Sequence, residues 1–159
     1  MKMKLAAGLL SVAVLLAGFW LYNDKTLRFP FKCIGFVEYH LVSGNHPVIL
    51  SLSQDVRLFS KAEGIINFRG QVEDNGRVTQ LNRTLTLTDG MAVDDDTLRF
   101  TISRISRSPV DNTPEQIFGV LLDEYTTSQD ALQLDVIRLQ HEVWVIGSPA
   151  SYLMTCIQY

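Results

Sequence analysis

Two cysteines, three histidines, a run of three aspartates and one arginine set among leucines are the residues of this chain whose types could do chemistry. Cys33 and Cys156 are the only cysteines, and they stand near opposite ends of everything that follows the N-terminal apolar segment. A disulfide between them would enclose about 120 residues and contribute roughly 5 kcal/mol in the chain-entropy account. The alternative is two unrelated buried thiols. A metal site is disfavoured, because two cysteines so far apart with no nearby histidine lack ligand spacing. His40, His46 and His141 are not at i, i+4 from another ligand or in an HExxH setting, so they read as solvent-facing polar residues. Asp94, Asp95 and Asp96 lack the alternating oxygen ligands and distal Glu of a calcium loop and read as a solvated turn before a strand. No Gly-x-Ser-x-Gly elbow and no phosphate-cradling glycine loop is present. No catalytic set converges, so the expectation is a protein that is not an enzyme, with no cofactor.

Arg83 is the charged residue of most interest. It shares a strand face with Leu81, Leu85 and Leu87, which predicts an inward side chain. There it must meet a carboxylate, backbone carbonyls or a ligand anion.

The elements that position these residues follow a period of two. Cys33 to Leu41, Val48 to Ser53, Ile65 to Glu73, Arg77 to Thr88, Leu98 to Ser103, Leu132 to Val136, Val143 to Ile146 and Tyr152 to Ile157 read as strands. Asn75-Gly76 marks a tight hairpin, since both residues accept the positive φ of a type I′ turn. One helix is predicted from Pro114 to about Glu124, with Thr113 as N-cap and Ile117, Phe118, Leu121 and Leu122 as its apolar stripe. The expected fold is mainly β: about eight antiparallel strands closing into a lipocalin-like barrel or a curled sheet, with one short helix. Phe36, Leu50, Phe68, Leu85 and Phe100, together with Arg83, are the candidate lining of its core or of a ligand cavity.

Ahead of that domain, Leu5 to Tyr22 carries no charge over eighteen residues. As a helix it would span roughly 27 Å, close to the hydrocarbon thickness of a bilayer. Trp20 and Tyr22 fall at its outer end, where amphipathic rings favour the interface. A cleaved signal peptide would need a shorter apolar region and a small-x-small site, and Leu16 stands where the first small residue belongs. A lipoprotein signal would need cysteine where Phe19 stands. The favoured reading is an uncleaved transmembrane helix, with cleavage as the alternative. The organisation is then a cytoplasmic tail over 1–4, an anchor over 5–22, a linker over 23–31 and a β domain over 32–159. Flanking charge is nearly balanced, so the side is argued from the disulfide, which persists in an oxidising compartment such as the periplasm. From residue 26 onward 11 basic residues face 16 acidic ones, which argues against nucleic acid.

With these residues placed, the chain resembles the FidL-like family of enterobacterial inner-membrane proteins. The resemblance rests on the N-terminal apolar segment, Cys33-Ile34-Gly35, Leu81-Asn82-Arg83-Thr84 after the Asn-Gly hairpin, Ser108 to Pro114, Gly147-Ser148-Pro149 and Cys156. It implies a place beside membrane-anchored winged-helix regulators of the ToxR/CadC type, and a layout similar to the accessory proteins ToxS and VtrC. The expected partner is such a one-span regulator, bound through the periplasmic domain, with a strand edge within Thr97 to Ser106 as the acceptor. The alternative is a stand-alone module binding a lipid or bile-like amphiphile in the barrel. An assembly factor without a ligand is a third reading.

Overall fold

The computed structural model describes residues 12–16, 18, 27–128, 130–149 and 151–159. Alternation of inward apolar and outward polar side chains produces nine strands. They are β1 (Phe31–Ser43), β2 (His46–Leu58), β3 (Gly64–Asp74), β4 (Arg77–Ala92), β5 (Thr97–Arg107), β6 (Thr126–Ser128), β7 (Ala131–Arg138), β8 (Val143–Gly147) and β9 (Tyr152–Gln158). One helix, α1 (Glu115–Asp123), lies between β5 and β6.

The sheet runs β5-β4-β3-β2-β1-β9-β8-β7-β6, and β7 also pairs with β5. Eight antiparallel strands therefore close into a barrel, with the three-residue β6 appended to β7. The expected eight-strand barrel with one short helix is what forms. The Asp74/Arg77 hairpin closes through Asn75 and Gly76, both at positive φ, as the Asn-Gly pair predicts. Most strands run further than their sequence signals. β2 continues from Ser53 to Leu58 because Gln54, Val56 and Leu58 keep the inward phase.

Closure is unequal along the barrel axis. β1 to β5 are 11 to 16 residues long, whereas β7, β8 and β9 have 8, 5 and 7. At the base, where the chain enters at Phe31, the circuit is complete: Cys33 pairs with Gln158 and Thr97 with Asp135. Above that, β9 leaves the ladder. The position a Cβ would take on Gly35 lies 2.5 Å from the Thr155 carbonyl oxygen, so β9 tucks under the inward face of β1 where only glycine leaves room. The Cys33–Cys156 disulfide, formed as expected and fully buried, locks that crossing.

The open upper half is a five-stranded curled wall whose concave side is filled by α1. Ile117, Phe118 and Leu121 are its buried face, and the helix packs against β1 and β6. Its start differs from expectation. The cap position is Pro114 without a side-chain cap bond, because the Thr113 hydroxyl is used instead against that of Thr79, at 3.2 Å.

Residues 12–16 and 18 are helical, with Val12, Val14, Leu15 and Leu16 exposed. No helix among the described residues is long and apolar enough to cross a membrane. Most of the expected anchor over 5–22, the tail over 1–4 and residues 23–26 of the linker lie outside the described residues.

Replacing Cys33 and Cys156 together by serine is expected to lower the unfolding free energy by about 2–5 kcal/mol, read by urea denaturation of the full chain. An unchanged midpoint would mean that the short β1–β9 ladder closes the barrel by itself.

Candidate functional site: a polar row and two bare edges

The register places Gly35, Gln54, Phe68, Arg83 and Arg107 in one transverse row across the five long strands. The rows beneath it are apolar, such as Cys33, Val56, Ile66 and Leu85. The buried Gln54 and Arg83 thus share one level of the interior.

Arg83 is 2% exposed, inward as its phase predicts. Its Nε donates to Asp111 Oδ2 at 3.1 Å, Nη1 to Glu115 Oε2 at 2.6 Å, and Nη2 to the Thr113 carbonyl at 2.9 Å. The Phe118 ring lies under the guanidinium, 4.4 Å from its carbon to the centroid. Arg107 completes the cluster, its Nε 3.2 Å from Asp111 Oδ1 and its Nη1 3.3 Å from Glu115 Oε1. Two guanidiniums face two carboxylates, so the cluster is neutral. Burial pulls the Arg83 pKa down, but the bonds to Asp111 and Glu115 outweigh it and the net shift is upward. For Asp111, burial pushes up, while the Asn82 N–H and the Arg83 guanidinium together hold it below the ordinary carboxylate range. All the cluster's contacts run to the segment Asp111–Glu115 and to α1. It is a latch between wall and helix.

On the same row, Gln54 is fully buried. Its Nε2 donates to the Tyr39 hydroxyl at 2.8 Å, and its Oε1 accepts from the Tyr125 hydroxyl at 2.5 Å. The Tyr39 hydroxyl also reaches the Leu153 carbonyl at 3.0 Å. Burial raises the Tyr125 pKa well above its ordinary value, which keeps this donor protonated.

Leu50, Phe68, Leu85 and Phe100 are buried in the core. Phe68 packs edge-on against Phe118 and Tyr125, with centroids at 6.0 and 5.3 Å. The clefts described among these residues open at the surface, and none is lined by those four side chains. Phe36 corrects the expectation. It is 81% exposed on the outer wall, because Cys33 points inward and a residue three positions on in a strand points the other way. Phe36 instead flanks an outer cleft whose floor is kept low by the small side chains of Ser51 and Ser53.

Among the described residues, unequal closure leaves parts of the β1 and β5 edges without a neighbouring strand. β7 covers β5 over Thr97–Thr101, so the expected acceptor edge is mostly occupied, and only Ser103–Arg107 is bare. The longer bare edge is on β1, which the sequence did not single out. Among the described residues no strand pairs with β1 beyond Ile34 on its β9 side, while β2 pairs it to Ser43. The Lys32 carbonyl faces that side, accepting from the Tyr159 N–H, so the backbone groups of Phe36, Glu38, His40 and Val42 face outward along the edge by the same parity. Glu38 and His40 pair with each other at 2.8 Å on the exposed face, and Val42 is 65% exposed.

His46 lies 2.8 Å from Asp74, and His141 lies 3.8 Å from Glu142. Asp94 turns its carboxylate back onto the N–H groups of Asp96 and Thr97.

Arg83→Leu is expected to destabilise the domain by about 3–5 kcal/mol by stranding the buried Asp111 carboxylate. Since Asp111 titrates below its unfolded value, its contribution is present at neutral pH and is lost as pH falls below about 4. Urea midpoints against pH should therefore drop in acid for the native chain and respond less for Asp111→Asn.

No curated protein and no solved structure matches the chain. Residues 70–156, more than half of its length, match the model of the family described as FidL-like putative membrane protein. The match starts on β3 and takes in the Asn-Gly hairpin, the Arg83 cluster, α1 and Cys156. The arginine latch and the β5–β7 pairing thus lie within the matched region, and the chain belongs to the FidL-like family.

Proposed function

We propose that this chain is a membrane-anchored periplasmic accessory protein that binds and modulates a one-span transcriptional regulator of the ToxR/CadC type. The observation that carries this reading is the bare β1 edge from Phe36 to Val42. A row of unpaired N–H and C=O groups with exposed apolar side chains is a template for another strand. Soluble domains normally blunt such an edge, and here it stands open beside the cleft at Phe36. The uncharged segment over 5–22 and the helical, exposed apolar residues at 12–16 support the anchor. The buried Cys33–Cys156 bond supports an oxidising compartment. Modulation would work by differential binding: a strand added to β1 stabilises whichever regulator conformation supplies it.

The packing of Leu50, Phe68, Leu85 and Phe100 gives the alternative, an amphiphile held inside the barrel, no support from an observed cavity.

The His40 N–H faces the open edge, so His40→Pro removes a donor that the barrel does not use. The variant is expected to keep stability within about 1 kcal/mol and to lose regulator capture in crosslinking pull-downs from native membranes. Undiminished capture of the regulator by His40→Pro would move the contact away from β1. Recovery of the native chain alone would count against the accessory role.

A further inference from the structure

We propose that the base of the barrel lies on the bilayer, with one sector of its rim seated at the lipid phosphates. This rests on the anchored reading above and adds a second surface, distinct from the β1 edge. The register closes around the base through Phe31 with Leu58, Ala92 with Leu98, Arg138 with Trp144, and Cys33 with Gln158. Every turn of that circuit therefore sits at the end where the chain enters. Between Tyr22 and Phe31 there are eight residues, which reach at most about 30 Å even fully extended. An anchor ending at Tyr22 holds this end near the membrane surface.

The rim has two unlike sides. On the β4–β5 side, the exposed apolar Met91 and Val93 stand beside exposed Asp94, Asp95 and Asp96, three carboxylates that would be repelled by anionic headgroups. On the other side each tip sets an exposed apolar residue beside mixed polar and charged groups, Lys61 and Glu63 on one turn and His141 and Glu142 on the other. Leu139 is 58% exposed on the β7–β8 turn and Phe59 49% on the β2–β3 turn, followed by Lys61. Between these turns, at the base of β1, β8 and β9, a cleft of about 410 Å³ is lined by Arg28, Arg138, His141, Glu142, Trp144, Gln158 and Tyr159. Arg138 is held in place, donating to the carbonyls of Gln140 and His141 and lying 5.8 Å from the Trp144 ring centroid. Trp144 Nε1 donates to Gln158. The Arg138 guanidinium, ordered over the buried Trp144 ring with apolar tips on either side, matches a bilayer interface: cation at the phosphates and apolar tips just below them. Among the described side chains lining the cleft, Glu142 supplies a carboxylate, which limits the site's net positive charge.

The test uses the full chain in nanodiscs of phosphatidylethanolamine and phosphatidylglycerol doped with a lipid carrying gadolinium on its headgroup. Amide relaxation is read by NMR. The amides of Phe59, Lys61 and Leu139 should broaden far more than those of Asn45 and Gly76 at the opposite end. Arg28→Gln and Arg138→Gln should each weaken the dependence on phosphatidylglycerol about fivefold, and Leu139→Ser should reduce broadening on its own turn. Equal broadening at both ends, or the strongest effect at Asp94 and Asp95, overturns the proposal. A chain that fails to enter nanodiscs would overturn the anchor instead. Flotation of that chain with vesicles of the same two lipids then decides the rim contact, and no flotation overturns it.

Discussion

Five long strands cannot be closed along their whole length by three short ones, and most of the molecule's distinctive features follow from that mismatch. Backbone N–H and C=O groups need partners wherever they are shielded from water. At the base the short strands supply them and the barrel is complete. Above the level of Gly35 they do not, and the concave wall would face solvent with apolar rows from Leu52 to Leu81 uncovered. The helix α1 and the segment leading into it fill that space, and the Tyr39 hydroxyl, bonded in turn to Gln54, meets the Leu153 carbonyl where β9 turns away. Among the described residues, the outer edge of β1 and the end of β5 are left without a strand beside them.

The helix that fills the opening is short, and nine residues of amphipathic helix are marginal without tertiary contacts. Its docking is specified by the Arg83 cluster. A buried ion pair is weak evidence of net stability, since desolvation offsets much of the attraction. Its geometric consequence is firmer. Arg83 contacts Asp111, Thr113, Glu115 and Phe118 at once, so α1 cannot shift along the wall without stranding buried charge. An apolar contact would tolerate sliding. Specificity of placement is what the charges contribute here.

Closure at one end only also separates two surfaces. The complete base carries the entry of the chain, the disulfide and the rim of cations and exposed apolar tips. The open half carries strand edges that can accept backbone partners.

Strand phase was legible residue by residue. Leu50 and Leu52 against Ser51 and Ser53, or Leu81, Arg83, Leu85 and Leu87 against Asn82, Thr84 and Thr86, declare their faces because a pleated strand alternates. The Asn75-Gly76 turn and the staple between the only two cysteines were equally readable. Phe36 was placed by its type and not by its parity with Cys33, and parity was the better guide. The partners of Arg83 lie 28 and 32 residues away, joined through a loop whose path no local pattern describes. The bare β1 edge was decided only in three dimensions. It depends on β9 passing beneath Gly35, a steric event between residues some 120 apart in the chain. Local alternation fixes which way a side chain points; which strand lies beside which, and where a neighbour stops, depends on the lengths and crossings of every strand in the closed sheet.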